Sequence, residues 1–447
     1  MLTKARSTAR VRRVLWLSRG AVIAAAAGLA SCGGGAGEPA PAASAVAAVP
    51  AAPASAPVIT AQPAAQAAIA GEVAAFSVEA SGSTPLSYQW RVDGADIAGA
   101  TGTRHAFATA WSQDGRLYSV VVSDAAGRST ASVAARLSVA LPAELTGLTG
   151  KLAFLRTARG QGAMSGTLYL FDFGSRSLSA ISPSWSRVFY PKNPAFSPDG
   201  TMLVFAAYID AAASEEDIFL WRIGSSGAPV NLTPGSGKRN EDPKFSPDGS
   251  RIVFKQNGDI ALLDPGKPGV VIRLTVGGGV PELSQPYFMP DGARIVFSSM
   301  AQPGDASSQV IQVLNIDSAG AASAQRQLGD GPGLEAFYPI AWGPERILFT
   351  RWRSASDHAD ALYSIDLTGS PAQPLGFNQA GCNNADPFPA DEQGRLVFHV
   401  NDCAGGAGGF DLFIGSVVSG RRYPLALLDP ALASGDDELG PAYFIRR

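Results

Sequence analysis

The stretch Asn193–Phe205, NPAFSPDGTMLVF, returns at Asp242–Phe254 as DPKFSPDGSRIVF and at Gln285–Phe297 as QPYFMPDGARIVF. A unit copied this closely is either a catalytic loop in triplicate or the hinge of a structural element. Repetition favours the hinge, because chemistry needs such a loop once while stacked units need their turn every time. Pro198-Asp199-Gly200, Pro247-Asp248-Gly249 and Pro290-Asp291-Gly292 each read as a tight turn: proline fixes one φ, aspartate bonds the following backbone, and glycine accepts a positive φ. The β-prone TMLVF that follows reads as a strand.

The proline ahead of the motif anchors a longer series, at Pro194, Pro243, Pro286, Pro339, Pro387 and Pro441, with intervals of 49, 43, 53, 48 and 54 residues. Each interval holds four short strands, the size of one propeller blade. Third strands follow at DIFLWRI, DIALLD, VIQVLNID, ALYSIDL and DLFIGSV, with LYLFDF in the first unit, and PVNLT, VIRLT and AQPLG supply outer strands. A four-stranded meander of this kind cannot bury both faces alone, and a ring of units solves that problem. The first unit, from Lys151, lacks the strand ahead of KLAFLRT, whereas the last residues, 441–447 (PAYFIRR), look like that missing piece. The expectation is therefore a six-bladed ring over 147–447, closed by its C-terminal strand so that no edge is left bare. These repeats resemble the TolB-like β-propeller family, also known for PD40 repeats. That resemblance specifies architecture and is nearly silent on chemistry; it implies envelope proteins that bind other proteins, and accessory domains of peptidases.

Residues 58–139 have a different texture of short alternating strands and glycine-rich turns, as in GEVAAFSVEASG and LSYQWRVDG. Their order resembles bacterial immunoglobulin-like domains, with Trp90 in the place of the core tryptophan and Tyr118 in that of the corner tyrosine. The family's disulfide positions match Val78 and Val120, so this copy is expected to hold its sheets by apolar packing. The fold class expected for the whole chain is all-β, an immunoglobulin-like sandwich followed by a six-bladed β-propeller.

The N-terminus reads as a targeting segment. Six basic residues precede the apolar run AVIAAAAGLA, which leads into LASC at Leu29–Cys32, and 32–57 is an Ala/Pro/Gly-rich tether. Residues 1–31 resemble a bacterial lipoprotein signal peptide, which implies cleavage before Cys32, lipid attachment to that cysteine, and a place in the membrane-anchored cell envelope, periplasmic or surface-exposed. Gly33, where an aspartate would signal inner-membrane retention, favours the outer membrane. Losing the signal makes the formal charge of −3 six units more negative. An acidic chain without a basic, aromatic-interleaved stripe is not a nucleic-acid binder. Two cysteines beyond the lipobox, Cys382 and Cys403, fit one disulfide in an oxidising compartment better than a metal site. They bracket two strand crossings of the last blade, which brings them to the same end.

The loops on that end are the longest: YIDAAASEED, SMAQPGDASSQ, RWRSASDHADA and NDCAGGAGGFD. They are the expected functional face, with the Pro-Asp-Gly turns on the opposite one. Candidate binding residues there are Glu215, Glu216, Asp217, Arg351, Arg353, Asp357, His358 and Asp360. The acidic runs 215–217 and 436–438 and the His358 segment read as solvated groups; Ca2+ stays open for either run, although neither has the ligand spacing of a helix-loop-helix Ca2+ site. His399 reads as a partly buried packing residue. No HExxH, GxSxG or phosphate-loop motif stands in a supporting context, so no catalytic residue, cofactor or metal is assigned. The expected function is binding of an envelope protein or cell-wall polymer. The alternatives are a propeller-type polysaccharide lyase or hydrolase, for which Arg351 and Arg353 would be the first funnel residues to test, and a structural or adhesive surface protein.

Overall fold

The computed structural model describes residues 55–445, except 160–165, 213–214, 276–281, 301–304, 330–332 and 404–408, with the side chains of 306 and 324 also left aside. The expected signal segment, Cys32, the expected tether as far as residue 54, and the last two residues of the expected closing strand, 446–447, lie outside the described residues. Every described element is a strand or a short 3-10 turn, and among the described residues no helix is long and apolar enough to cross a membrane.

Six four-stranded antiparallel sheets make a six-bladed β-propeller. From inside to outside, blade 2 is Phe189–Phe196, Met202–Tyr208, Glu216–Arg222 and Val230–Asn231. Blade 3 starts at Asn240–Phe245, blade 4 at Glu282–Phe288, blade 5 at Ala336–Ala341 and blade 6 at Asn384–Pro389. Blade 1 takes its inner strand from the far end of the chain: Asp437–Phe444 pairs with Lys151–Thr157, placing Tyr443 opposite Leu152 and Phe444 opposite Lys151. The closing strand thus begins four residues earlier than the sequence suggests. Each inner strand touches the next around the ring, and the inner strand of blade 1 touches those of blades 2 and 6.

The motif strand explains why the blades stack. In Met202–Tyr208, Leu203, Phe205 and Ala207 enter the seam with blade 1, while Val204 and Ala206 enter the seam with blade 3. A strand covered on both faces needs apolar residues at consecutive positions. The phenylalanine that ends each LVF-like triplet, at Phe154, Phe205, Phe254, Phe297, Phe349 and Phe398, is buried in all six blades.

The Pro-Asp-Gly turns are held by their own aspartates. Asp199 accepts from Ser197 Oγ at 2.6 Å and from Thr201 N at 3.0 Å, and Asp248 makes the same bonds with Ser246 and Ser250. Asp291 accepts from Ala293 N at 2.9 Å and from Arg294. Gly200, at φ 67°, has a second duty: a Cβ there would lie 2.2 Å from the Phe444 ring of the closing strand, whereas at Gly249, φ 74°, the nearest atom is 3.5 Å away. Gly200→Ala is therefore expected to destabilise by about 3 kcal/mol, the left-handed backbone cost plus overpacking, and Gly249→Ala by about 1 kcal/mol. Urea unfolding of the two variants side by side checks the difference.

Residues 58–140 form β-sheets of their own around Phe76, Val78, Trp90, Tyr118 and Val120, each at most 3% exposed. Trp90 donates Nε1–H to Gly102 O at 2.9 Å, and Phe76 stacks on Tyr118. This core is continuous with the seam between blades 6 and 1. The contact is fixed by Arg176 over the Trp111 ring at 4.1 Å and by Ser112 N donating to Leu428 O at 2.9 Å.

Candidate functional site

The residue before each anchor proline has a left-handed backbone. Asn193, Asp242, Gln285, Tyr338, Asp386 and Gly440 all have φ between 50° and 56°, and the strand register shifts at or beside each of them. Such a bulge re-aims a side chain, and the proline that follows has no N–H for the broken ladder to leave unpaired. Five of the six are not glycine, so the ring holds local backbone strain of order 1 kcal/mol at each. Hydrogen bonds running from blade to blade offset it. Asp242 accepts from the Asn193 side chain and from Gln285 N at 3.2 Å; Gln285 Oε1 accepts from Tyr338 N at 2.9 Å; Asp386 accepts from Gly440 N at 3.1 Å. The result is a polar collar around the channel.

Above the collar, towards the loop face, a cavity of about 400 Å³ is lined by Lys192, Glu241, Asp242, Lys255, Tyr338 and Asp386 among others. Below it, at the turn face, a second cavity of about 770 Å³ has a more apolar wall including Phe196, Phe245, Phe288, Trp342 and Phe444. Lys244, Tyr287 and Phe388 line both cavities and form the waist between them.

A charge network frames one side of the upper mouth. Lys192 Nζ lies 2.8 Å from Glu216 and 3.1 Å from Glu241; Arg239 reaches the same two carboxylates at 3.4 and 2.9 Å; Lys255 joins Glu241 at 3.3 Å to Glu282 at 2.7 Å. Burial pushes the Glu216 carboxyl above its ordinary range despite Lys192. Burial acts on Glu241 too, but Lys192, Lys255 and Arg239 together hold it low. On the other side, burial pushes Asp360 up to about 6, with Glu335, Asp386 and Asp402 adding to the effect, and burial pushes Asp386 up to about 6.

Several candidate residues stand elsewhere than expected. Glu216 and Asp217 are not solvated: they open the third strand of blade 2 at 1% and 0% exposure, and Asp217 accepts from Asn231, Thr233 and Asn240. Only Glu215 remains partly exposed, accepting from Gly237 N at 2.8 Å. In the run 436–438, Glu438 is fully buried against Arg156 at 2.8 Å, and burial pushes it up to about 7. Asp357 and His358 belong to a ten-residue strand, Asp357–Asp366, rather than to a loop, and His358 stacks on Trp352 at 3.9 Å. Neither arginine proposed for the funnel reaches it. Arg351 lies over the Tyr363 ring, lining the seam of blades 4 and 5, and Arg353 donates to Gln379 O at 2.8 Å and to Cys382 O. His399 is wholly rather than partly buried, and burial pushes it down to about 3, so it is neutral. The failure is common to these cases: strands here extend past the repeat motif and carry their polar ends into the seams, which a solvation rule based on residue type does not register.

Cys382 and Cys403 are disulfide-bonded, with Cα atoms 5.6 Å apart, and the bridge ties the segment leading to Asp386 to the end of the second strand of blade 6. Closing a loop of 21 residues is worth about 3 kcal/mol in the chain-entropy model. Cys403→Ser is expected to lower the urea midpoint accordingly, and reduction of the wild type should reproduce the shift.

The collar was not singled out from the sequence, although its signal was there. The residues N, D, Q, Y, D and G immediately before the six anchor prolines are polar or small in every repeat, against the apolar habit of the flanking strands.

No family model matches the chain, and no curated protein matches it. Among solved structures, it is similar to TolB from Acinetobacter baumannii at 18% identity, covering 74% of this chain and 79% of that one with a TM-score of 0.48. It is also similar to a putative TolB from Agrobacterium tumefaciens at 16%, covering 62% and 88% with a TM-score of 0.45. A third is a Mycobacterium tuberculosis puromycin-hydrolyzing peptidase at 16%, covering 61% and 46% with a TM-score of 0.42. The propeller itself rests on the strand pairing described above.

Proposed function

We propose that this chain is a lipid-anchored protein of the bacterial envelope whose loop-face channel mouth binds a partner protein or cell-wall polymer without turning it over. The observation that carries the reading is the mouth itself: charged and aromatic side chains from blades 2 to 6 converge on a cavity of about 400 Å³. Concave sites with a few convergent polar groups are the usual places for ligands on such scaffolds. The lipobox and tether support anchoring, the immunoglobulin-like reading of residues 58–139 supports a spacer, and the repeats' resemblance to TolB-like propellers supports an envelope setting. Arg351 and Arg353, on which the lyase or hydrolase reading first leaned, are engaged in a blade seam and at the disulfide.

The test is affinity capture from solubilised envelopes with a soluble fragment, residues 58–447, beside a variant carrying Arg239→Ala, Glu282→Ala and His358→Ala. Arg239, Glu282 and His358 are exposed, and Lys192 and Lys255 still face Glu216 and Glu241 in the variant, so it should remain folded, which urea unfolding of the variant checks. One dominant partner lost in the variant is the expected result. No partner, combined with turnover of a glycan library, would refute the reading.

A further inference from the structure

The waist of the channel and the cavity above it hold three polar groups whose hydrogen-bonding capacity is not used up among the described residues. Lys244 Nζ donates to Pro243 O at 3.2 Å and forms no ion pair among the described residues, although an ammonium carries three donors. Tyr287, also at the waist, has no hydroxyl partner among the described residues. Asp386 spends one oxygen on Gly440 N, and its other oxygen has no partner among the described residues. Burial pushes the Lys244 ammonium down and the Asp386 carboxyl up to about 6; Asp242 and then Asp386 act to hold Lys244 charged, but no carboxylate oxygen among the described residues comes within 4.0 Å of its ammonium.

A cation and a carboxylate held in one cavity, near enough to interact and too far apart to pair, are complementary to a small dipole of the opposite sense. A lone carboxylate ligand would meet Lys244 but bring a net negative charge towards Asp242 and Asp386. A lone amine would meet Asp386 but face Lys244. A zwitterion satisfies both without changing the net charge of a confined space, where unpaired charge is most costly. We propose that the upper cavity binds a free α-amino acid, its carboxylate on Lys244 Nζ and the Tyr287 hydroxyl, and its ammonium on the free oxygen of Asp386. The volume of about 400 Å³ leaves room for a side chain against Phe388 and Ile340. This site rests on the reading of the channel mouth as the binding face and adds the chemistry of its floor.

The test is calorimetric titration of the full-length protein in detergent with alanine, leucine and phenylalanine, each beside its N-acetyl and its carboxamide derivative. At least one free amino acid should bind, and both blocked forms should bind at least tenfold more weakly. Lys244→Met and Asp386→Asn should each weaken binding of the zwitterion at least tenfold. Tyr287→Phe, which keeps the ring and only deletes the hydroxyl, should weaken it a few-fold, and this milder variant keeps the test valid if Lys244→Met fails to fold. Absence of binding by every free amino acid, equal binding of a blocked form, or wild-type affinity in Tyr287→Phe and Asp386→Asn would overturn the proposal. Envelope capture by the wild-type fragment is unaffected by these outcomes, so this site and the wider binding function fail separately.

Discussion

A chain ending at Ser434 is expected to lose the native ring, because it deletes the only inner strand that blade 1 has. Lys151–Thr157 would become a bare edge, and Ala442 and Tyr443, at 0% and 6% exposure, would leave the core. Tyr443 packs on Phe398 at 4.9 Å and on Phe173 at 5.6 Å, and its hydroxyl accepts from Thr149 N at 3.0 Å. Tyr443→Ala alone should cost about 4 kcal/mol, in the range for large buried aromatics. The truncation removes that contact together with a full ladder of hydrogen bonds, a loss comparable to the roughly 5 to 15 kcal/mol stability of a whole domain. Near-ultraviolet circular dichroism and urea unfolding should show the truncated chain without a cooperative transition, and Tyr443→Ala with one at a much lower midpoint.

Lys192→Met is expected to be the most damaging point change in the channel. Its ammonium sits between the carboxylates of Glu216 and Glu241, which are 1% and 9% exposed at the side chain. Methionine keeps the length of the side chain and removes the charge, leaving Arg239 at 60% exposure as the remaining cation on Glu216. Breaking a buried pair from one side costs about 3 to 5 kcal/mol. The penalty should depend on pH in a definite sense. The Glu216 carboxyl already stands above its ordinary range because burial outweighs Lys192 and Arg239, and losing Lys192 raises it further. A carboxyl whose folded pKa exceeds its unfolded one stabilises the fold below the unfolded value, and that contribution is lost as pH rises through the folded value. The variant should therefore be closer to wild type at pH 5 than at pH 8. Urea unfolding at the two values decides: an equal or larger deficit at pH 5 would contradict the assignment.

What the sequence disclosed follows from what repeats. The Pro-Asp-Gly turns and the apolar triplets ending at Phe205, Phe254 and Phe297 recur because every blade needs them, so the ring and its closure by Tyr443 and Phe444 were legible. The channel was less so. Its side chains differ between blades, so Lys244 and Tyr287 stand outside the repeat pattern that discloses the turns and strands. The collar residues share only a backbone conformation, and an aspartate before a proline in isolation says little about left-handed φ. Glu216, Asp217 and Glu438 were misread as solvated because their partners, Lys192, Thr233 and Arg156, are distant in sequence and meet them only once the blades are stacked.

The channel, its collar and its mouth all depend on the C-terminal strand closing blade 1. Native-state hydrogen exchange measures this most directly, by comparing the amides of Leu439–Phe444 with those of the motif strand Met202–Tyr208. The closed ring predicts that the amides of the closing strand bonded to Lys151–Thr157 exchange only through global opening, with the same free energy as those of the motif strand. Fast exchange at all amides of Leu439–Phe444, as in a frayed chain end, would contradict it.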